Sequence, residues 1–243
     1  MKYTANASLL NDTVILVTGA ANGIGAAVAK TYAAHGATVI LLDKSIPALE
    51  KVYDEITANS SPEPALYPLD LKGATVPDYD TLAATIEENF GRLDGLVHCA
   101  ASLGQLAPVE HQDTKAWLET LHINLTAPYL LTRSCLSLLK KQTAASIIFT
   151  TDQHKDSAYW SAYGIGKSGI ESLSKQLADE LEAEGRVRVN CIDPGKVRTD
   201  LLSRAFPAQD PSGLAEADSV TPAYLYLMGS DSVKKTGELI HAQ

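Results

Sequence analysis

The sequence predicts a single α/β domain, residues 1–243, built on a doubly wound parallel sheet. Short runs of apolar and β-branched residues alternate with segments of helical periodicity along the chain. Such alternation is typical of parallel sheets, whose crossover helices cover both faces. The first run, residues 13–18, ends at a glycine-rich turn that leads into an alanine-rich helix. We therefore expect six or seven strands joined by right-handed crossovers.

Composition and charge restrict the classes of function. Apolar residues make up 45% and charged residues 20%, values typical of a soluble globular domain. The net charge of -9 argues against nucleic acid or an anionic membrane as partner, because both attract basic surfaces. Three widely spaced cysteines give neither a disulfide framework nor zinc spacing, so we expect no metal. Without a leader-like N-terminus or an apolar span, the sequence predicts a cytoplasmic protein that binds a small molecule.

The turn after the first strand has the glycine spacing of a dinucleotide site. Its glycines would let the backbone approach a pyrophosphate, and the helix that follows would direct free N–H groups at the phosphates. This pattern predicts a Rossmann-type nucleotide site. The residues expected to contact the cofactor here are Gly19, Asn22, Gly23, Ile24 and Gly25.

The second strand, residues 38–42, ends in Asp43, about twenty residues past the glycine turn, where the adenosine ribose needs an acceptor. The charge of Asp43 would repel a 2′-phosphate, which favours NAD over NADP. Lys44 could instead hold that phosphate, so NADP remains an alternative. At the end of the short third strand lie Asp70 and Leu71, and we expect Asp70 to meet the adenine.

Tyr163 and Lys167 lie four residues apart in a run predicted to be helical to about residue 183. Residues at this spacing share a helix face, so the ammonium can favour the ionised phenol. A lower pKa than the usual value of about 10 would make the phenol a usable acid and base. The spacing alone is weak evidence, because it often arises on a solvated helix surface.

Residues 116–139 form a long helical pattern that Pro128 interrupts. Proline has no N–H, so the carbonyl of Asn124 loses its helical partner and the helix should kink. Asn124 could then hold a water near the Tyr163–Lys167 pair. The alternative is a tolerated kink without function.

Three further strand ends lie at the same edge, where ligands collect in open α/β sheets. Small residues after the fourth strand would let the backbone lie against a cofactor, although tight packing explains them equally well. The residues concerned at these ends are Cys99, Ala100, Thr151, Asp152, Pro194, Gly195, Val197 and Thr199. Residues 198–215 are rich in Pro, Asp, Ser and Gly, and are predicted to form a substrate lid in which Leu201, Leu202 and Phe206 grip the ligand.

Together these motifs resemble the short-chain dehydrogenase/reductase family along the whole chain. The matching patterns are Thr-Gly-x-x-x-Gly-x-Gly, a mid-helix Asn, Tyr-x-x-x-Lys and Pro-Gly-x-Val-x-Thr. Residues 205–207 and 226–232 resemble a YciK-like branch of bacterial oxidoreductases. The resemblance implies an NAD(P)-dependent oxidoreductase that interconverts a secondary alcohol and a carbonyl.

The resemblance also implies roles for individual residues. Tyr163 would exchange a proton with the substrate oxygen, Lys167 would hold the nicotinamide ribose, and Asn124 would hold a relay water. Val197 and Thr199 would contact the carboxamide. The helices that contain Asn124 and Tyr163 would pack in a homodimer or homotetramer.

One departure from the family pattern follows the fourth strand. The family's Asn-Asn-Ala-Gly is here His98-Cys99-Ala100-Ala101, which keeps the small Ala100 but loses the amides that brace the central strands. We expect this change to alter stability more than chemistry.

A second departure affects the family's catalytic serine, which hydrogen-bonds the substrate oxygen. Alignment of the fifth strand, residues 146–150, places Asp152 at that position, whereas counting back from Tyr163 reaches Thr150. We favour Asp152, because a buried strand is harder to shift than a loop. An ionised Asp152 cannot donate a hydrogen bond and would raise the pKa of Tyr163.

The Asp152 departure leaves several alternatives. Asp152 donates in its protonated form, Thr151 substitutes for the serine, or the chain binds a nucleotide without fast turnover and serves as a sensor or assembly partner. Asp152 could also be a solvated loop acid with no role in the site.

Overall fold

Parallel strands form one sheet in this computed structural model, which describes residues 1, 3–59 and 61–243. The strands are Val14–Thr18 (β1), Thr38–Asp43 (β2), Ala65–Pro68 (β3), Gly95–His98 (β4), Ala145–Thr150 (β5), Val187–Asp193 (β6) and Leu239–His241 (β7). Their spatial order is β3-β2-β1-β4-β5-β6-β7, so the chain winds outwards in both directions from β1 and β4. The predicted doubly wound sheet is confirmed, with seven strands.

Helices cover both faces of the sheet. In the described part of the chain they are Gly23–Ala34 (α1), Ile46–Ala58 (α2), Val76–Phe90 (α3), Thr114–Leu121 (α4), Ala127–Lys140 (α5), Ser161–Glu182 (α6), Asp200–Ala205 (α7) and Thr221–Met228 (α8). The buried residues of α1, α2 and α8 pack on one face, and those of α3, α5 and α6 pack on the other. Among the residues described, no helix combines the length and hydropathy that a bilayer span requires.

Local side-chain bonds set element boundaries that periodicity does not show. Apolar residues at helical spacing predict a helix over residues 78–90. Helix α3 begins earlier, at Val76, because Thr75 and Asp78 form a capping box, and it is capped by Gly91 with φ 67°. The sequence predicts a fourth strand over residues 93–98, but β4 begins at Gly95. The reason is that Asp94 bonds the β1 backbone through its side chain, whose Oδ2 accepts the Val14 N–H at 2.9 Å.

The helix predicted over residues 116–139 is interrupted near Pro128, as expected. Helices α4 and α5 are separated by a π-helical turn, His122–Thr126, in which the Ala127 N–H donates to the carbonyl of His122. Turns of this kind often lie at functional sites. The wide turn places Asn124, which is 2% exposed, against the loop after β4.

A buried cation joins the last part of the chain to the sheet. Arg188 of β6 is 5% exposed, and its guanidinium donates to the carbonyls of Leu227 and Met228 at the end of α8 and to Ser232. The negative end of the helix dipole therefore offsets the buried charge.

Candidate active site

A cleft of about 320 Å³ lies at the carboxyl ends of the strands, where the sequence analysis placed the ligand. The predicted residues that line it are Gly19, Asn22, Gly23, Ile24, Gly25, Asp43, Lys44, Asp70, Leu71, Cys99, Ala100, Asp152, Tyr163, Lys167, Pro194, Gly195, Val197 and Thr199. Asn124 lies outside this lining. Leu201, Leu202 and Arg204 reach the cleft from the segment predicted to be a lid.

The glycine turn has no room for a side chain. A Cβ on Gly25 would lie 2.1 Å from the carbonyl oxygen of Gly19, and a Cβ on Gly19 would lie 2.7 Å from the backbone nitrogen of Ala100. Gly19 also has φ +68°, in the region that L side chains rarely adopt. The first turn of α1 thus lies close behind β1, with its N–H groups available to phosphate oxygens. This cradle fits a dinucleotide.

The end of β2 presents both groups that decide between the two nicotinamide cofactors. Asp43 and Lys44 both line the cleft. Asp43 Oδ1 accepts the Ser45 N–H at 3.1 Å, which fixes the carboxylate at the rim and leaves its other oxygen available.

Tyr163 lies in the cleft at the start of α6 and is 3% exposed. Its hydroxyl donates to Asp152 Oδ2 at 2.8 Å. Burial, followed by the charge and the hydrogen bond of Asp152, raises the pKa of Tyr163 well above its ordinary value. The Lys167 charge, which was expected to lower the pKa of Tyr163, is therefore outweighed. The rise in this pKa that Asp152 was expected to cause is the net result.

Lys167 is 4% exposed, and its Nζ lies 5.6 Å from the centroid of the Tyr163 ring. The ammonium donates to the carbonyl oxygen of Thr150 at 2.7 Å. Burial lowers the pKa of Lys167, and the charge of Asp152 opposes that shift. The pair shares one helix face at the cleft, as its spacing predicts.

The two threonines considered as donors have other partners. Thr151 Oγ1 donates to Glu171 Oε1 at 2.8 Å, and Thr150 Oγ1 lies 2.9 Å from the hydroxyl of Tyr224. Asp152 is thus the residue beside Tyr163, where the strand alignment placed it.

Asn124 supports the loop after β4. Its Oδ1 accepts the Ser102 N–H and its Nδ2 donates to the Ser102 carbonyl, both at 2.8 Å. The amide of Asn124 is therefore occupied by backbone groups, because the wide turn directs this side chain at the loop after β4.

His98 and Cys99 occupy the positions of the lost amides. His98 stacks on Phe149 at 4.8 Å, and its Nε2 lies 2.9 Å from Thr132 Oγ1. Burial lowers the pKa of His98 to about 3 and raises that of Cys99 to about 11. Both are neutral near pH 7.

Sequence reasoning missed an aromatic cluster behind Asp152. The ring of His154 stacks on Trp160 at 4.6 Å and lies 5.3 Å from Phe206, and its Nδ1 lies 2.9 Å from Asp152 Oδ1. The position of His154 shortly after β5 could have indicated that this residue lies near the cleft. The contact of His154 with Phe206 could not be predicted, because it depends on tertiary packing. In the described residues, no group of three or more metal-ligating side chains converges.

Comparisons with known proteins agree with this architecture. The profile of the short chain dehydrogenase family matches residues 13–210. The chain is 41% identical over 245 residues to the uncharacterized oxidoreductase YciK of Escherichia coli K12, covering 100% of this chain and 96% of that protein. A short chain dehydrogenase structure from Pseudomonas syringae has a TM-score of 0.97 at 43% identity, covering 100% of this chain and 99% of that one. One from Shigella flexneri, in complex with NADP, has a TM-score of 0.94 at 41% identity, covering 98% and 100%.

Proposed function

Because the chain belongs to the short-chain dehydrogenase family, in the YciK-like group that its motifs predict, we propose that it interconverts a secondary alcohol and a carbonyl with Tyr163 as acid and base. The observation that carries this proposal is the buried Tyr163 hydroxyl in the cleft, four residues from Lys167 and facing the glycine cradle. The bound dinucleotide supplies or accepts the hydride. Tyr163 gives a proton to the substrate oxygen in reduction and takes it in oxidation.

The neighbouring residues hold this arrangement. Lys167 orients the nicotinamide ribose and supplies a positive charge near the phenol. Asn124 keeps the loop at Ser102 in place through its two hydrogen bonds, which leaves its main-chain carbonyl to hold the relay water. Val197 and Thr199 line the cleft where the carboxamide would lie.

The test is a screen of secondary alcohols and carbonyls with both cofactors, followed by the absorbance of the reduced nicotinamide. We expect turnover of at least one class of compound and its loss in Tyr163→Phe. Tight cofactor binding with no turnover of any compound would contradict the proposal.

The choice of cofactor rests on Asp43 and Lys44. Asp43 favours NAD, whereas the NADP found in the Shigella flexneri relative speaks for NADP and for Lys44 as the deciding group. Titrations of NADH and NADPH with wild type, Asp43→Asn and Lys44→Ala separate the two. NADH preference that is lost in Asp43→Asn supports NAD, and NADPH preference that is lost in Lys44→Ala supports NADP.

A second candidate follows from the hydrogen bond between Tyr163 and Asp152. A phenol that donates to a carboxylate is held away from a substrate oxygen, which suits a nucleotide-binding sensor or assembly partner without fast turnover. This alternative predicts equal cofactor affinity and equally absent turnover in wild type and Tyr163→Phe.

We further propose a homodimer or homotetramer in the cytoplasm. The helices α4, α5 and α6 expose apolar side chains, among them Leu118 (58%), Tyr129 (47%) and Ile165 (52%). Light scattering on the purified chain measures the assembly, and Ile165→Glu should shift it to monomer. A monomeric wild type would contradict the assembly.

A further inference from the structure

The position beside Tyr163 carries a negative charge that carbonyl reduction does not need. Asp152 accepts the Tyr163 O–H at 2.8 Å and the backbone N–H of His154 at 2.7 Å, and its Oδ1 lies 2.9 Å from His154 Nδ1. The Tyr163 hydroxyl and the His154 N–H each donate to one oxygen of the carboxylate, and the donor in the contact with His154 Nδ1 depends on the tautomer of that ring.

No lysine or arginine in the described ranges forms an ion pair with this carboxylate. The two nearest lysines have other partners: Lys155 Nζ lies 3.2 Å from Glu171 Oε1, and Lys167 Nζ donates to the Thr150 carbonyl. The Asp152 side chain is 19% exposed and lines the cleft. His154 pairs with this carboxylate as a cation only when its ring is protonated, so a positively charged ligand in the cleft can supply the partner charge otherwise.

A second carboxylate acts in the same direction. Asp193, at the end of β6, adds its negative charge to that of Asp152 at the Tyr163 hydroxyl. The two carboxylates repel an oxyanion that develops beside them and attract a positively charged group, and the Lys167 ammonium, 5.6 Å from the centroid of the Tyr163 ring, offsets part of their charge. The arrangement is therefore suited to a substrate whose reacting group starts positive and becomes neutral.

We propose that the substrate is a protonated C=N compound, an iminium ion, which the chain reduces to an amine. This inference rests on the hydride transfer proposed above and extends it from the C=O group of a carbonyl to the C=N group of an iminium ion. The carbon of the C=N group accepts a hydride from the reduced nicotinamide, and the π electron pair becomes the nitrogen lone pair. The positive charge passes from the substrate nitrogen to the nicotinamide ring, so this step needs no proton.

The residues take complementary parts in this reaction. Asp152 favours the protonated C=N group over the neutral, less reactive imine. Asp152 accepts the N–H of the iminium ion, and the Tyr163 hydroxyl can donate to the nitrogen only after hydride transfer has given that atom a lone pair. In the reverse direction, Asp152 attracts the protonated amine, which must then lose a proton before hydride leaves its carbon.

The first experiment compares cyclic imines with cyclic ketones, paired by ring size from pyrroline and cyclopentanone upwards, with both reduced cofactors. For the wild type we expect kcat/KM to be at least about tenfold higher for the imine of each pair, the effect of one partly screened charge contact. In Asp152→Ser the preference should reverse, because a hydroxyl donor replaces the charge. In Asp152→Asn, which is nearly isosteric, imine reduction should fall about tenfold.

A second readout does not depend on turnover. Calorimetry measures the binding of pyrrolidinium and of cyclopentanol to the chain saturated with oxidised cofactor. We expect pyrrolidinium to bind about tenfold more tightly, and to lose this advantage in Asp152→Asn. Thermal unfolding of each variant confirms that it is folded.

The outcomes separate this inference from the proposed function. Ketone turnover that exceeds imine turnover in every pair, or equal binding of the ammonium and the alcohol, overturns the iminium substrate and leaves the oxidoreductase intact. If neither class turns over in wild type or in Asp152→Ser although the cofactor binds, the proposed function itself fails.

Discussion

The cleft has two halves that differ in what specifies them. The nucleotide half, residues 19–25 with 43–44, is shaped by backbone atoms so close that a methyl group cannot be added at Gly25. The catalytic half, residues 152, 163 and 167, is made of buried side chains on a conventional strand end and helix. An aspartate stands there in the family's serine position without altering the sheet. We therefore expect steric fit to govern nucleotide binding and single side chains to govern the proposed chemistry.

The sharpest test of this contrast is Tyr163→Phe. Loss of the acid and base should lower kcat for a carbonyl or secondary alcohol about 1,000-fold. The cofactor Kd should change less than about twofold, because the cradle lies on other elements. The matched control is Tyr159→Phe, whose side chain is 64% exposed and should leave kcat unchanged. Steady-state rates with calorimetric cofactor titrations check both values, and a parallel loss of affinity would mean that the halves are not separable.

Gly25→Ala should break the nucleotide half. The added methyl would lie 2.1 Å from the Gly19 carbonyl oxygen, so the turn must move away from the phosphate position. We expect the cofactor Kd to rise about 100-fold. Gly73→Ala is the control, because a Cβ there meets no atom within 4 Å. Calorimetry gives the affinities, and wild-type affinity in Gly25→Ala would show that the cradle is adaptable.

Asp152→Asn sharpens the account of the catalytic half. Burial and the Asp152 charge raise the pKa of Tyr163, so removing the charge should lower that pKa. The phenolate then forms at lower pH, and the rising limb of alcohol oxidation against pH should move to lower pH. Asp156→Asn, at a side chain that is 81% exposed, is the control. A pH profile of kcat measures the shift, and an unmoved limb would exclude Asp152 as its cause.

The buried His98, at the end of β4, should make the free energy of unfolding depend on pH. Its pKa of about 3 lies below the ordinary 6.5, so the unfolded state binds a proton that the folded state excludes. Stability should therefore be lost as pH falls from about 6.5 towards about 3, by up to about 1.4 kcal/mol per pH unit. His98→Asn should flatten this slope in denaturant unfolding across that range. His111→Asn, at a side chain that is 70% exposed, should not.

The fold and the nucleotide half were predictable because their signals are local. Apolar runs, the glycine turn and Pro128 each act within a few residues, so the doubly wound sheet of six or seven strands and the interruption of the helix near Pro128 could be predicted. The predicted starts of α3 and β4 were wrong by two residues, because side-chain hydrogen bonds set these boundaries. At β4, for example, the Asp94 side chain bonds Val14 of β1, which is distant in sequence.

The catalytic half was predictable only in part. Spacing placed Tyr163 with Lys167, and strand alignment placed Asp152. The balance of charges on Tyr163 could not be predicted, because it depends on burial and on the direction of each hydrogen bond. The use of the Asn124 amide by Ser102 and the contact of His154 with Phe206 depend on loops that meet only in the folded chain.

The buried guanidinium of Arg188 has a consequence for the order in which the chain folds during synthesis. Its partners lie 39 to 44 residues further along the chain, so β6 is synthesised before the carbonyls that accept its hydrogen bonds. Burying a bare cation is costly. We therefore expect nascent chains to keep the β6 edge open until α8 has been synthesised, after which both close in one cooperative event.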